Sequence, residues 1–425
     1  MSVEMIGLLG LVALFVLLGL RIPVAFAMFT VGFIGNMILN SPQAAMSQLA
    51  SDSFSLAATV ELVVVPLFIL MGNVATETGM SRKLYDAAYA WIGSIRGGLA
   101  SATVVACGGF AALSGSSVAS ALTIGRVSLS EMERFKYDNR LSTGVVAAGG
   151  TLGILIPPST GFVIYALLTQ QSIGRLFLAG VLPGLLLLSM FILTILVITW
   201  FKPEMGPKGP KTTLSDKMRS TGGAAPILLV IVLTIGGIYT GIFSPVEASA
   251  VGAGLIILIG ALSGKLTLKT FWKAAQDSVV TTATVMLILI SAYMIKTFLA
   301  LSHIPQWLGG FLETADISTL GVLSIMLLIY LILGCFLEGF AMMVLSMPIF
   351  FPVVQQLGID PIWFGVLVVL TLEMGLISPP VGLNVFIVKS VAPNVSLGRM
   401  FRGVAPFWLA MFITLIILVA FPQIS

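Results

Sequence analysis

Two stretches of this sequence gather glycine, hydroxyl side chains and paired prolines inside long apolar runs. The first holds Gly149, Gly150, Thr151, Gly153, Pro157, Pro158 and Ser159; the second holds Thr371, Gly375, Ser378, Pro379 and Pro380. Proline has no amide hydrogen and clashes with the preceding turn, and glycine does not resist unwinding, so each run predicts a discontinuous helix. Carbonyl oxygens freed by a break can coordinate a cation, while the start of the next half-helix offers amides and a positive dipole to an anion. Two polar interruptions accompany them: Ser114, Gly115, Ser116 and Ser117 in one apolar stretch, Glu338 and Gly339 in another.

Each of these features has a plainer reading. Glycine and proline allow close packing and kinks in membrane helices, and Ser116 or Ser117 would serve as a helix cap. Glu338 and Glu373, as intramembrane acids, point to function or to a hydrated vestibule in which they pair with Lys296 or Lys389. His303 reads as a surface residue, and Cys107 and Cys335 as small packing residues.

The elements that position these residues follow from composition. The chain has 425 residues, 58 % hydrophobic and 9 % charged, against roughly 25 % charged in a soluble domain. Apolar segments of about 18 residues or more, each able to cross a bilayer of about 30 Å, recur from end to end. The class is an all-α polytopic membrane protein. A formal charge of +4 from 21 Lys and Arg against 17 Asp and Glu is too small and too scattered for a nucleic-acid binder. Two cysteines and one histidine exclude a disulfide framework and a His/Cys metal cluster. The start lacks a basic region and its apolar run continues to Leu20, so it reads as a retained first helix.

Ten spans are expected, near 3–20, 22–39, 55–78, 141–171, 176–200, 225–243, 246–262, 278–301, 362–391 and 403–421. Stretches 98–125 and 319–354, broken in the middle by polar or glycine residues, read as re-entrant hairpins. Loops 82–96, 126–140, 202–219, 265–273 and 399–402 are basic, whereas 40–54, 239–245, 302–318 and 355–361 have no Lys or Arg. The positive-inside rule then puts both termini in the periplasm, the first hairpin entering from the cytoplasm and the second from outside; Arg175 is the one violation.

Such mirror-related hairpins predict an inverted repeat of about five spans. Gly153 and Gly375 stand 222 positions apart, Ser114 and Glu338 224, and Asp52 and Asp277 225. The expected division is 1–54, 55–200, a hydrophilic linker at 201–224, 225–277 and 278–425. For energy coupling, no Walker-type loop is present, Gly260 to Lys265 being the nearest run. A proton relay would need several buried acids, and only Glu61, Glu247, Glu338 and Glu373 are candidates. Breaks rich in hydroxyl and carbonyl oxygen favour sodium.

The motifs GGTLGILIPPS (149–159), SGSS (114–117), VPLFILMGN (65–73), LGIDPIWFG (357–365) and EMGLISPPVGLNVF (373–386) resemble the large membrane subunit of tripartite ATP-independent periplasmic (TRAP) transporters over nearly the whole chain. The resemblance implies a sodium-driven, elevator-type importer of organic acids in the bacterial inner membrane. Its partners are a separate small membrane subunit of four helices and a periplasmic substrate-binding protein; no ATP and no organic cofactor takes part. Residues 55–200 and 278–425 would form the transport halves, with 1–54 and 225–277 as scaffold arms.

By motif match, one sodium site takes Ser114, Gly115, Ser116, Ser117, Gly149, Gly150, Gly153 and Pro157. The other takes Gly334, Glu338, Gly339, Thr371, Gly375, Ser378 and Pro379. Neither break contains Arg or Lys, so the substrate carboxylate would be met by Ser116, Thr151, Pro158, Ser159, Pro380 and Asn384 with the bound sodium ions. Sialic acid and C4-dicarboxylates are both open, with overall resemblance leaning to sialic acid. The competing classes are an ion or solute channel, which conducts without stoichiometric coupling, and a proton-coupled stand-alone anion transporter.

Overall fold

Apolar runs and helix caps together account for the architecture of a computed structural model that describes residues 2–307, 310 and 317–425. Every regular element among the described residues is helical. The first half opens with α1 (Val3–Gly19), α2 (Val24–Leu39) and α3 (Pro42–Ala58), followed by α4 (Val64–Glu77) and α5 (Met80–Ile92). It continues through α6 (Gly98–Ser114), α7 (Ser117–Arg134), α8 (Asn139–Leu155), α9 (Thr160–Thr169) and α10 (Ile173–Phe201). The second half runs α11 (Leu214–Tyr239), α12 (Pro245–Leu262), α13 (Leu268–Leu301) and α14 (Thr319–Gly334). It ends with α15 (Gly339–Gln356), α16 (Pro361–Leu376), α17 (Leu383–Val391) and α18 (Leu397–Ala420).

Among the described residues, seven helices are long and apolar enough to cross a membrane, and α8 with α9, bent by 42°, makes an eighth. Of the other expected spans, α1 and α2 have only 17 and 16 residues, and α16 and α17 are separated by residues 377–382. The hairpins stand at α6 with α7 and at α14 with α15, each pair packed side by side. The helix order from α6 to α10 returns from α14 to α18. Residues 308, 309 and 311–316 of the loop expected at 302–318 lie outside the described residues.

Several expected boundaries need correction. Segment 40–54 is not a loop: Ser41 accepts from the Ala44 amide and Pro42 sits at the first helical position, starting α3. The 82–96 segment is mostly α5, whose buried Leu84 and Tyr85 turn its basic residues outward. The α7 helix runs past the expected hairpin end at 125 to Arg134. The divisions at 54/55 and 277/278 fall inside α3 and α13, and the end of the linker at 214–224 is already helix, begun by a capping box between Thr213 and Asp216. Helix α4, expected in a transport half, packs chiefly on α12 and α13, and α13 packs chiefly on α2. A side chain at Gly32 would stand 2.7 Å from the α13 backbone, and Asn36 donates to the Met294 carbonyl across the same contact.

Helices α8 and α16 form the centre. Every residue of 141–155 and of 364–376 is buried, which is where non-helical backbone next to them is tolerated in a membrane. The linker is laced to the first half: Gly97 donates to Gly206, Gly209 to Gly93 and Asp138 to Met205 through their amides. Tyr137 joins this lacing, its hydroxyl accepting from the Leu99 amide at 3.2 Å and donating to the Pro207 carbonyl at 2.8 Å. Replacing Tyr137 by Phe strands a buried amide, so Y137F is expected to lose about 1–3 kcal/mol. A thermal midpoint in detergent equal to that of the parent protein would contradict this.

Candidate functional site

The two hairpin turns rest on the two helix breaks, and glycine is what lets them. At the first, Gly115 has φ +58°, and a Cβ on it would lie 2.7 Å from the Pro158 carbonyl oxygen. Thr160 closes the contact, its hydroxyl donating to the Gly115 carbonyl at 2.6 Å. A Cβ at Gly153 would stand 2.5 Å from the Ser116 carbonyl carbon, and one at Gly150 3.1 Å from the Ser117 oxygen. At the second junction a Cβ on Gly375 would lie 2.6 Å from the Gly334 Cα.

This corrects the role expected for the glycines. Gly149, Gly150 and Gly153 lie within α8 and Gly375 within α16, so their backbone is not unwound. The first break is confined to 156–159 and the second to 377–382, containing Pro157-Pro158 and Pro379-Pro380, both cis. The missing Cβ atoms serve close approach of the hairpins. Pro157 and Pro158 are buried, whereas Pro379 and Pro380 are exposed.

The first junction therefore brings together four helix ends, and the second brings together the ends of α14 and α16. Helices α6 and α8 end beside each other at the first, and α7 and α9 begin there; α14 and α16 end beside each other at the second, where the sequence continues into α15 and α17. Terminal carbonyls favour a cation and terminal amides an anion. Both kinds of partner thus occur at one place without a basic side chain.

The hydroxyls are more engaged than the sequence suggested. Ser116 caps α7 by accepting from Ala119, and Ser159 caps α9 by accepting from Phe162 while donating to the Ile154 carbonyl. Thr151 donates to Ala148 and Thr371 to Leu367 within their own helices. Ser378 donates to Met374 and accepts from the Trp408 indole at 2.8 Å. Ser114 and Ser120 share a hydrogen bond of 3.2 Å. Gly339 has open space around it, and Glu338 stands exposed at the α15 N-cap with no capping bond.

Three buried side chains remain. Ser117 donates to Glu373 Oε1 at 2.7 Å, joining the first hairpin to the second broken helix. Glu373 Oε2 and both amide atoms of Asn384 have no hydrogen-bond partner among the described residues. The expected lysine pairings are not formed: Lys389 donates to the Pro393 and Val395 carbonyls, and Lys296 lies 5.9 Å from the Tyr293 ring centre. Of the other acids, Glu247 closes a capping box at α12. Glu61 lines a cleft of about 790 Å³ with Gln170, Gln171, Ser244, Glu247 and Tyr293, between α12 and the turn from α9 to α10. Among the described residues there is no group of three or more His, Cys, Asp and Glu that could hold a metal ion.

Sequence reading missed Thr160, Ser120 and Trp408. Thr160 follows the Ser159 cap directly, and a hydroxyl there was a readable signal; Trp408 reaches Ser378 from 30 positions away and left none.

The chain is similar to the C4-dicarboxylate TRAP transporter large permease of Pseudomonas aeruginosa, 37 % identical over 390 residues, 92 % of this chain and 90 % of the relative. It is 32 % identical to the sialic acid TRAP transporter large permease of Vibrio cholerae over 410 residues, 95 % and 93 % of the two chains. The YdaH transporter of Alcanivorax borkumensis shares the fold, with a TM-score of 0.64 over 90 % of each chain at 15 % identity. The profile of the DctM component of tripartite ATP-independent periplasmic transporters matches residues 11–424, and the chain belongs to that family, a permease of the inner membrane.

Proposed function

We propose that the chain is the permease subunit of a sodium-coupled importer of organic acids, working by elevator-type alternating access. The observation that supports this most is the meeting of helix ends at the two hairpin and break junctions, where terminal carbonyls suit sodium ions and terminal amides suit a carboxylate. One sodium ion is held at the junction around Ser114, Gly115 and the ends of α6 and α8, and a second around Gly334, Gly375 and the ends of α14 and α16. The carboxylate is met between them by half-helix N-termini and by the amide nitrogen of Asn384. Because the ions carry the only full positive charge there, acid binding strengthens when sodium binds.

The hairpins and broken helices move as a body, and helices α2, α4, α12 and α13, which pack on one another, serve as the scaffold. The two halves are inverted relative to each other, with both termini periplasmic. A small four-helix membrane subunit supports the scaffold, and a periplasmic binding protein delivers the acid. The substrate is a C4-dicarboxylate or sialic acid, the compounds named for the two relatives.

Proteoliposomes holding the chain with both partner proteins test this. Uptake of succinate or sialic acid is expected only with an inward sodium gradient and all three components. Equal uptake driven by a proton gradient in sodium-free buffer, or uptake by the chain alone, would contradict it.

A further inference from the structure

Glu373, Ser117 and Asn384 are 1 %, 1 % and 0 % exposed, and the interior around them leaves a carboxylate oxygen and a whole amide without partners. No Lys, Arg or His forms an ion pair with Glu373 among the described residues. An uncompensated buried carboxylate is strongly unfavourable, so something must neutralise it. A proton on Oε2 would neutralise it, and so would a cation. A cation would be satisfied by the same free oxygen.

The placement of Asn384 follows from the helices. Helix α17 packs on α7 and α8, with Val391 against Gly125, and beyond them Leu129 and Glu133 face Pro393 and Val395 across one cavity. The two helices therefore run in the same direction. Counted two turns back from that contact along each helix, Asn384 on α17 would come level with Ser117 on α7.

We propose that Glu373, Ser117 and Asn384 form a third cation site, separate from the two junctions, that takes a sodium ion on carboxylate, hydroxyl and amide oxygen. This rests on the sodium-coupled reading above. Its position is informative: Ser117 follows the residue that packs on Gly153, and Glu373 precedes by two the glycine that packs on Gly334. An ion here would tie the first hairpin to the second broken helix, so that filling one junction favours filling the other.

Equilibrium sodium binding to the purified chain in detergent tests the site, with the thermal midpoint followed in sodium and in choline. E373Q is expected to bind one sodium ion fewer per chain than the parent protein. N384A, which keeps the carboxylate, is expected to weaken sodium binding by about 10–100-fold at one site. It also stands in for E373Q should that variant fail to fold. Unchanged number and affinity of bound sodium in N384A, or in a folded E373Q, would overturn the site. Unchanged sodium binding with loss of the pH dependence of uptake in E373Q would overturn it in favour of a proton. No sodium binding by the parent protein would overturn the sodium-coupled reading itself, and this site with it.

Discussion

Gly375→Ala is expected to abolish transport while leaving a protein that still inserts in the membrane. The new methyl group would stand 2.6 Å from the Gly334 Cα and 2.7 Å from its carbonyl carbon. Both neighbours are backbone, so no rotamer change relieves the overlap, and α14 must move off α16. Overpacking of this kind costs about 1–3 kcal/mol, an amount that shifts a binding constant by about one to two powers of ten. It falls on the second junction, so sodium affinity there should drop by at least that factor. Sodium titration of the thermal midpoint checks it, and a midpoint and affinity equal to those of the parent protein would contradict it. Gly334→Ala should behave alike, because a Cβ there meets the Gly375 Cα at 3.0 Å.

Gly115→Ala is the matching experiment at the first junction, for a different reason. Gly115 occupies the left-handed region at φ +58°, which costs an alanine about 1–2 kcal/mol on its own. Its methyl group would also meet the Pro158 carbonyl oxygen at 2.7 Å. Relief requires the hairpin turn to rise from the break, pulling the Gly115 carbonyl away from Thr160. Transport should fall by at least tenfold, and the sodium affinity lost should be that of the first junction only. Uptake kinetics of the Gly115 variant check the first point, and equilibrium sodium binding to the single and double glycine variants checks the second. A double variant with sodium binding no weaker than either single variant would contradict two separate junctions.

How much of this was legible in the sequence depended on the kind of signal. Paired prolines and polar interruptions in apolar runs marked both breaks and both hairpin turns, because those residues punctuate a helix by local chemistry alone. The same argument misread Gly149, Gly150, Gly153 and Gly375, since a glycine that permits unwinding and one that permits close contact look alike in a sequence. Helices α3 and α5 were hidden because they carry polar residues along one side and fail any test for an apolar run. The start of α13 was hidden in the same way: Lys269, Lys273 and Asp277 precede its apolar part within one continuous helix. The bond from Ser117 to Glu373 joins residues 256 positions apart, and no local pattern announces it.

Unpartnered polar atoms in the interior, more than hydroxyl content, now single out residues that could hold a ligand. Thr151, Ser159, Thr371 and Ser378 each give their hydrogen to a backbone carbonyl, which leaves them oxygen lone pairs for a cation but no proton for an anion. Glu373 and Asn384 keep free polar atoms in the interior.

Sodium coupling is tested most directly by the reversal potential of acid-dependent current in proteoliposomes that contain the chain and its two partner proteins. With the acid gradient held constant, changing the sodium gradient across the membrane is expected to move the reversal potential, and changing the proton gradient to leave it in place. A reversal potential that follows the proton gradient and ignores sodium would contradict cation sites built from helix ends at the two junctions.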